Sequence, residues 1–389
     1  MITTNLKVPT GNICIMTGEK GMLEFLSIGD YGKTANVKAN FMGINRELNG
    51  VPNGEIMPLT EKWVITISTQ YGCSMGCKFC DVPRVGAGIN ATEKDMGDQI
   101  VLGLGLHPEV EATKRLNIHY ARMGEPTFNP AVLENARKLH KIARPYVGNS
   151  LIHPVVSTML PKSNRLLMEF LNEWCDIKNY TYRGDAGLQF SINSTNDDQR
   201  DDMFNGSSLS LREISDIGKA LVPPIGRKYT LNFALADEYE VDAKKLREMF
   251  NPGKFMVKIT PLHKTRSCEE NGITTTGGYE SFTPYKKAEE ELMAEGFDVL
   301  VFIPSYDEDR GMITCGNAIL SGKRPDVEYS MESGTDGVGK VENICKYKKG
   351  SYLCGWKPIC QKIIPIYIWK QGKTKAWLII EYRYKIKEL

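Results

Sequence analysis

The chain has 389 residues, and its 41% hydrophobic and 25% charged residues are typical of a soluble globular protein with a sizeable core. A formal net charge of +2 excludes a strongly basic character for the chain as a whole. The sequence contains no apolar run of eighteen residues and no signal-peptide pattern, so we expect a cytoplasmic protein that does not enter a membrane. Ten cysteines in such a chain predict reduced thiols, metal ligands or catalytic groups rather than disulfides.

The first sixty residues contain Gly- and Asn-rich turns, such as GDYGK and ELNGVPNGE, and they lack helical periodicity. We interpret residues 1–60 as a short β-rich N-terminal extension or a lid.

From residue 63 onward, short β-branched and apolar runs alternate with longer amphipathic stretches, which predicts β/α units around a parallel sheet. The predicted strands are 63–67, 116–121, 153–158, 188–193, 229–235, 255–262 and 298–303. The predicted helices are 93–104, 130–142, 164–175, 211–221, 242–250 and 285–295, and Thr92 and Asp95 form a capping-box pattern at the first. Such units predict an α/β fold, a full or partial (β/α)6 barrel with functional residues at the C-terminal ends of its strands.

The loop after the first predicted strand contains a CxxxCxxC motif, formed by Cys73, Cys77 and Cys80. Three thiolates cannot complete a four-cysteine iron–sulfur or zinc site, so one metal position would stay open. An open iron of a 4Fe–4S cluster can be chelated by the amino and carboxylate groups of S-adenosylmethionine (SAM). A structural zinc site or unrelated thiols are the alternative explanations of this spacing.

Small polar residues follow several of the later strands. Gly124 and Glu125 lie just beyond the second strand, where a backbone carbonyl and a carboxylate could hold the ammonium group of SAM. Ser157 ends the third strand, residues 191–193 end the fourth and residues 261–263 end the sixth. Although such residues commonly end strands, their recurrence at one edge of the sheet favours a binding site there.

The cysteine triplet, with Phe79 before its last cysteine, resembles that of the radical SAM superfamily. Over roughly residues 60–322, further segments resemble the RlmN/Cfr group of radical SAM methyltransferases. In family order, the matching segments are STQYGCSMGCKFCDVP, MGEPTFN, VVST, FSINSTNDDQRDD, KITPLHK and GMITCGNAILSG. The resemblance implies a partial barrel of the radical SAM type, a 4Fe–4S cluster and SAM as cofactors, and methylation of a 23S ribosomal RNA adenine at carbon 2 or carbon 8. It also implies a reducing electron donor such as flavodoxin or ferredoxin.

The resemblance assigns roles to individual residues of this chain. It implies that the three cysteines of the triplet bind the cluster, and that Cys315 receives a methyl group from one SAM and carries it into a radical addition to adenine. We therefore expect Cys315 to be exposed, with electropositive surroundings that favour its thiolate. A small buried hydrophobic residue is the alternative for Cys315. The positions matching SAM contacts are Gly124, Glu125, Ser157, Ser191, Ile192, Asn193 and His263, the last where the family usually has asparagine.

The sequence departs from the family pattern in two places. Thr66 stands where the family has a second cysteine that helps to break the protein–RNA thioether, and a threonine hydroxyl is too weakly acidic to replace it. Either another thiol takes this role or the chain performs a different reaction. The N-terminal segment is also too short for the family's helical RNA-docking domain, which puts ribosomal RNA as the substrate in question. The candidate replacement thiols are Cys14, Cys345, Cys354 and Cys360.

After about residue 322 the β/α alternation stops, and the segment SGTDGVGK reads as a linker. Residues 340–389 contain twelve lysine and arginine residues and three glutamates, a net charge of +9, with eight interleaved Tyr and Trp residues. This composition suits RNA, although a solvated face of a small β-rich extension explains it equally well. The three tail cysteines could bind a metal, but their spacing is poor for zinc.

The sequence thus predicts an N-terminal extension (1–60), a radical SAM core (61–322) and a basic, aromatic C-terminal extension (323–389). We expect a monomeric radical SAM-dependent methyltransferase that acts on ribosomal or transfer RNA. One alternative is a radical SAM enzyme that acts on a nucleotide, a small metabolite or a peptide. A metal-stabilised RNA-binding protein is the non-enzymatic alternative.

Overall fold

The computed structural model describes residues 1–31, 36–45, 56–275, 279, 281–323 and 325, together with the backbone of two later strands. The chain divides into two compact units, Met1–Asn343 and Ile344–Leu389. The turn sequence ELNGVPNGE, the last two residues of GDYGK, the predicted linker and Cys345, Cys354 and Cys360 lie outside the described residues.

The strands of the described residues form one large sheet and two separate two-stranded sheets. They are β1 Ile2–Val8, β2 Gly11–Gly18, β3 Gly21–Ile28, β4 Val37–Lys38, β5 Trp63–Ile67, β6 Gln70–Gly72, β7 Ala87–Asn90, β8 Arg115–Tyr120, β9 Leu151–Thr158, β10 Gly187–Ser191, β11 Tyr229–Leu235, β12 Phe255–Pro261, β13 Val299–Phe302, β14 Ile363–Lys370 and β15 Lys373–Ile380. Strands β6 and β7 form one separate antiparallel hairpin, and β14 and β15 form another in the second unit.

Helices connect the strands of the large sheet. The α-helices are α1 Glu93–Gly105, α2 Ala131–Val147, α3 Leu167–Asp176, α4 Asp197–Met203, α5 Leu211–Ala220, α6 Ala243–Met249, α7 Arg266–Glu270, α8 Lys286–Ala294 and α9 Tyr306–Arg310. The predicted capping box is confirmed at α1, because the Thr92 side chain accepts a hydrogen bond from the Asp95 N–H and the Asp95 carboxylate accepts one from the Thr92 N–H.

The large sheet has a parallel centre with antiparallel flanks. Its order is β1-β2-β3-β5-β8-β9-β10-β11-β12-β13-β4, and every pair from β5 to β13 is parallel. Strand β3 is antiparallel to β5, and β4 is antiparallel to β13. Because β1 and β4 are its two edges in the described residues, the sheet is an open, partial barrel. The predicted α/β class and all seven predicted strands are confirmed.

Two hydrophobic cores lie on opposite faces of the sheet. Trp63, Ile65 and Ile67 are fully buried in the larger core, which includes the apolar faces of the helices. Val64, between them on the same strand, belongs to a smaller core that also contains Met312. Successive residues of a strand point to opposite faces of the sheet. One face of β5 therefore packs against the helices, and the other packs against the segment around residue 312.

The N-terminal residues extend the large sheet. Strands β1, β2 and β3 are joined by short turns, and Leu26 of β3 lies opposite Thr66 of β5. The β-rich content predicted for residues 1–60 is therefore observed in the described part of this segment, and these strands form an antiparallel flank of the large sheet rather than a separate unit. In the described part of the chain, no helix has the length and apolar character needed to cross a membrane.

Candidate functional site

The cysteine loop follows β6 and is held by residues that follow β12. The Thr265 hydroxyl donates to the Phe79 carbonyl (2.7 Å), and the Ser267 hydroxyl donates to the Cys80 carbonyl (3.0 Å). Buried Asp81 in turn accepts from the Ser267 N–H at 2.8 Å. These bonds satisfy the polar backbone of an irregular loop, so the loop has a fixed conformation without regular secondary structure.

The three thiols of the triplet are half-buried and lie close enough to influence one another. Burial raises the pKa of Cys73 to about 11, and it raises the pKa of Cys77 and Cys80 further. Negative charge on each neighbouring thiol adds to this effect at Cys77 and Cys80. Three thiolates so close together repel one another, and a bound metal ion would offset this repulsion because its positive charge stabilises thiolates. The grouping is therefore suited to binding iron.

In the described residues, no three His, Cys, Asp or Glu side chains are arranged to hold a single metal ion. The cysteine ligands of a 4Fe–4S cluster bind separate iron atoms, so they do not converge on one ion.

Gly124 and Glu125 lie at the C-terminal end of β8, beside the cysteine loop. The Glu125 carboxylate is buried and accepts from the Thr127 hydroxyl (2.7 Å) and from the Met159 N–H (3.1 Å). Burial raises the pKa of Glu125, and these hydrogen bonds oppose the rise. Its charge also raises the pKa of Cys73, so the carboxylate lies within electrostatic range of the triplet. A bound ammonium group would compensate this buried negative charge.

The next two strands, β9 and β10, place their predicted residues along the same edge. The Ser157 hydroxyl, at the end of β9, accepts a hydrogen bond from the Gln189 side chain at 3.1 Å. Asn193 has a left-handed backbone (φ 61°), and its side-chain oxygen accepts from the Ala234 N–H at 3.0 Å. The Ser191 and Ile192 carbonyls both accept from a buried arginine of α4, which fixes the end of β10.

His263 follows β12 and belongs to a buried polar network. Its Nδ1 lies 3.0 Å from Asp309 Oδ1 and 3.1 Å from the Tyr279 hydroxyl. Asp309 also accepts from the Thr314 hydroxyl at 2.6 Å, next to Cys315. A cavity of about 280 Å³ adjoins His263. The structure thus connects His263 to the Cys315 segment, and the proposed SAM contact remains a prediction.

The Cys315 segment packs directly on the cysteine loop. The Asp81 N–H donates to the Gly316 carbonyl at 2.8 Å. A Cβ on Gly316 would lie 3.4 Å from the Phe79 carbonyl oxygen and 3.9 Å from Cys80 Cα. Charge on Cys315 raises the pKa of both Cys77 and Cys80. The fold therefore brings all four predicted cysteines together, although Cys315 and the triplet are more than 230 residues apart in sequence.

The predicted electropositive surroundings of Cys315 are present, but they do not lower its pKa. The side chain reaches solvent, yet the protein crowded around it disfavours the charged form and raises the pKa of the thiol. Arg122 and Lys258 oppose this rise without cancelling it. The expectation of a favoured thiolate is therefore wrong for the protein without cofactors, because desolvation outweighs both cations.

Thr66 and Cys14 do not supply the missing second thiol. Thr66 lies on β5, half-buried, between Leu26 and His119 of the neighbouring strands. Cys14 is fully buried in the helix-facing core, whereas its neighbours Ile13 and Ile15 belong to the core that contains Met312. Cys14 therefore points away from the Cys315 face, and burial raises the pKa of its thiol. Of the described cysteines, Cys14 is excluded as a partner of Cys315.

Sequence reasoning missed two charged residues beside the site, Arg122 and Glu24. They form a buried ion pair and are 2% and 0% exposed. A charged residue two positions before Gly124, directly after an apolar strand, was the available signal for Arg122. Nothing in the local sequence around Glu24 indicates its partner, since 98 positions separate the two.

The chain is similar in sequence to proteins named as RNA methyltransferases. The chain is 30% identical over 208 residues to a probable dual-specificity RNA methyltransferase RlmN from Thermotoga neapolitana, covering 51% of this chain and 54% of that protein. It is 22% identical over 283 residues to the dual-specificity RNA methyltransferase RlmN from Sorangium cellulosum, covering 68% and 64%. The chain thus spans about half the length of the first of these relatives. No family model matches the chain.

A solved structure shares the fold. The radical SAM methyltransferase from Sphaerobacter thermophilus superimposes with a TM-score of 0.56 at 19% sequence identity, covering 82% of this chain and 80% of that one. The chain is thus similar in sequence to RlmN methyltransferases, and it shares the fold of a solved radical SAM methyltransferase.

Proposed function

We propose that the chain is a radical SAM methyltransferase that acts on RNA, with Cys315 as its methyl carrier. The observation that carries the proposal is the contact between two remote segments, in which Asp81 of the cysteine loop binds the Gly316 carbonyl. This contact places a solvent-accessible thiol beside the cysteine triplet. The relatives named as RNA methyltransferases support RNA as the substrate.

We assign a separate role to each group of site residues. Cys73, Cys77 and Cys80 would hold a 4Fe–4S cluster, and Glu125 would hold the ammonium group of SAM. When bound, the cluster would supply the electron for reductive cleavage of SAM, and SAM would supply the methyl group. Further SAM contacts are proposed at Gly124, Ser157, Ser191, Ile192, Asn193 and His263.

The role of Cys315 follows from the chemistry of the substrate. An sp2 ring carbon of adenine is a poor nucleophile, so direct alkylation by SAM is slow and a radical route avoids this barrier. Cys315 would hold the methyl group beside the cluster and present it to the base. A 23S ribosomal RNA adenine, at carbon 2 or carbon 8, is the substrate proposed from the family resemblance. Flavodoxin or ferredoxin would supply electrons, in the cytoplasm.

Thr66 favours a second candidate, a radical SAM reaction on a nucleotide, a small metabolite or a peptide. Of the candidate replacement thiols, Cys14 lies on the opposite face of the sheet, and Cys345, Cys354 and Cys360 lie outside the described residues. The two candidates differ in their response to salt. Binding of structured RNA weakens steeply with ionic strength, because phosphate contacts release counterions.

A pair of cysteine variants tests the proposal. We expect Cys77→Ala to lose bound iron and to form no 5′-deoxyadenosine from SAM under anaerobic reducing conditions. We expect Cys315→Ala to keep its iron and to cleave SAM, but to transfer no labelled methyl group to RNA. Cys175→Ala is the matched control, because Cys175 is buried in α3 away from the site and should retain both activities.

The same experiment defines its failure. Full methyl transfer by Cys315→Ala would refute the carrier assignment. Peptide mass mapping of wild-type protein after anaerobic purification and nuclease treatment gives an independent readout, because a carrier should be found with a methyl group or a bound nucleotide. An unmodified Cys315 in iron-loaded, SAM-cleaving protein would favour the second candidate.

A further inference from the structure

We propose that Glu24 and Arg122 form a brace that positions Cys315 against the cysteine loop. The proposal assigns a function to the N-terminal strands, because Glu24 belongs to β3. It rests on the proposed function for its catalytic meaning, while its structural claim can be tested alone. Both side chains act through the Cys315 segment and are therefore positioning residues.

The brace holds both ends of the segment that contains Cys315. Arg122 donates to the Met312 carbonyl at 2.9 Å and lies 3.4 Å from the Thr314 carbonyl. The Leu320 N–H donates to Glu24 Oε2 at 3.0 Å. The arginine thus binds the beginning of residues 312–320, and the glutamate binds their end.

The two side chains also bind each other. Arg122 Nε donates to Glu24 Oε1 at 2.8 Å, and the guanidinium Nη2 donates to the same oxygen. Arg122 is 2% exposed and Glu24 is fully buried. Charges buried to this degree persist only when paired and hydrogen-bonded, so loss of either partner would leave the other uncompensated.

The backbone of the braced segment requires external support. Met312 has a left-handed conformation (φ 55°), which costs energy in a residue other than glycine. Its carbonyl is one of the two that Arg122 binds. Met312 and Ile313 also pack with Leu26, two residues from Glu24 on β3. The segment is therefore held by the N-terminal strands and by the arginine that follows β8.

The position of Arg122 connects the two halves of the site. Arg122 lies two positions before Gly124 and three before Glu125, the residues proposed to hold SAM. The same residue binds the segment that presents the thiol. A shift of the brace would therefore move Cys315 relative to the cofactor, and misplacement of a reacting group by about 1 Å can cost about a hundredfold in rate.

Glu24→Gln tests the brace, and Glu289→Gln is its matched control. Gln keeps the shape of the side chain and removes the charge. Glu289 is also buried and forms one ion pair, with Lys38 at 2.8 Å, away from residues 312–320. Each variant loses one buried ion pair, so their general destabilisation should be similar.

Two readouts separate positioning from stability. Amide hydrogen exchange of residues 312–320 in the protein without SAM should accelerate roughly tenfold or more in Glu24→Gln and stay within about twofold of wild type in Glu289→Gln. In the loaded enzyme, methyl groups transferred per 5′-deoxyadenosine formed should fall roughly tenfold in Glu24→Gln alone.

Each outcome decides the proposal. Equal exchange of residues 312–320 in the two variants would refute the brace. If residues 312–320 exchange faster in Glu24→Gln but the number of methyl groups transferred per 5′-deoxyadenosine is unchanged, the brace does not position Cys315. If wild-type protein transfers no methyl group, the proposed function fails while the exchange result still decides the brace. Should Glu24→Gln not fold, Arg122→Lys keeps the charge but loses the planar fork, and the same two readouts apply.

Discussion

Gly124 shows how one residue type makes the proposed SAM-binding loop possible. Its φ of 97° lies in the left-handed region that side chains rarely adopt. A Cβ at this position would lie 2.6 Å from the Gln70 Cβ and 2.8 Å from the Gln70 backbone nitrogen. The Gln70 side chain also accepts from the Glu125 N–H at 2.9 Å, so this close approach aligns the residue that follows.

We therefore predict that Gly124→Ala destabilises the protein by about 1–3 kcal/mol and weakens SAM binding, because the new methyl group must displace the backbone of β6. Urea unfolding and a SAM titration measure the two effects. Gly97→Ala, in the interior of α1, is the control, since its nearest contacts outside the helix lie 3.9 Å away. It should stabilise by about 0.5–1 kcal/mol. Equal stability of the two variants would contradict the prediction.

At the scale of elements, the short helix α4 fixes the end of strand β10. Its Arg200 is 2% exposed and donates to the Ser208 hydroxyl at 2.8 Å and to the Leu209 carbonyl at 3.2 Å. It also donates to the Ser191 and Ile192 carbonyls. Burial lowers the pKa of Arg200 to about 10, so the guanidinium remains charged at neutral pH.

Replacing Arg200 with methionine should release the end of β10. We predict that Arg200→Met costs about 3 kcal/mol of unfolding free energy, because several buried carbonyls lose a charged donor. SAM affinity should fall as well. Arg212→Met is the control, as Arg212 is 74% exposed and only 3.7 Å from Asp216. Its cost should stay below about 0.5 kcal/mol. Similar stabilities of the two variants would show that α4 does not support β10 in this way.

The local sequence predicted which helices and strands form more accurately than it predicted the residues at which they end. The strand 63–67 was located without error, because its alternation and flanking polar residues are clear. The helix predicted to end at 142 continues to Val147, even though it contains Pro145. Gly148 then ends it, with its N–H bound to the Arg144 carbonyl. Tertiary packing of Val147 in the core offsets the bond that proline removes, and no local pattern reveals such compensation.

The features of the site also differ in how far the sequence alone could predict them. The cysteine triplet is local in sequence, so its spacing alone predicted a metal site. The family resemblance located Cys315, and the structure then brought it to the triplet. By contrast, the pair of Glu24 and Arg122 depends on strand order across the sheet, which one sequence does not encode in any short pattern. The net pKa of Cys315 could not be predicted either, because desolvation depends on every surrounding atom.

The face of the large sheet opposite the helix-facing core contains two histidines that are held neutral. Burial, together with positive charge on Lys258 and Lys62, lowers the pKa of His119 to about 3. Burial also lowers the pKa of His153, with Arg115 as the next largest cause. Because β8 and β9 are adjacent, both imidazoles belong to one desolvated, cation-rich interior.

This interior predicts that the molecule loses stability in mild acid. A histidine whose pKa is lower in the folded state binds more protons when unfolded, so its neutral form stabilises the fold above the unfolded pKa of about 6.5. That contribution is lost as the pH falls from about 6.5 toward 3, at about 1.4 kcal/mol per pH unit for His119. The unfolding free energy of His119→Asn should therefore fall less steeply with decreasing pH than that of wild type, by about 1.4 kcal/mol per pH unit.

Urea unfolding at several pH values between about 7 and 4 measures the two slopes. Carboxylates and the cluster contribute equally to both proteins, so the difference between the slopes isolates the imidazole. His140→Gln is the control, because His140 is exposed on α2 and stacks on Tyr182. Its slope should equal that of wild type. If His119→Asn also matched wild type, the imidazole would have to accept a proton in the folded interior, and the lowered pKa would be wrong.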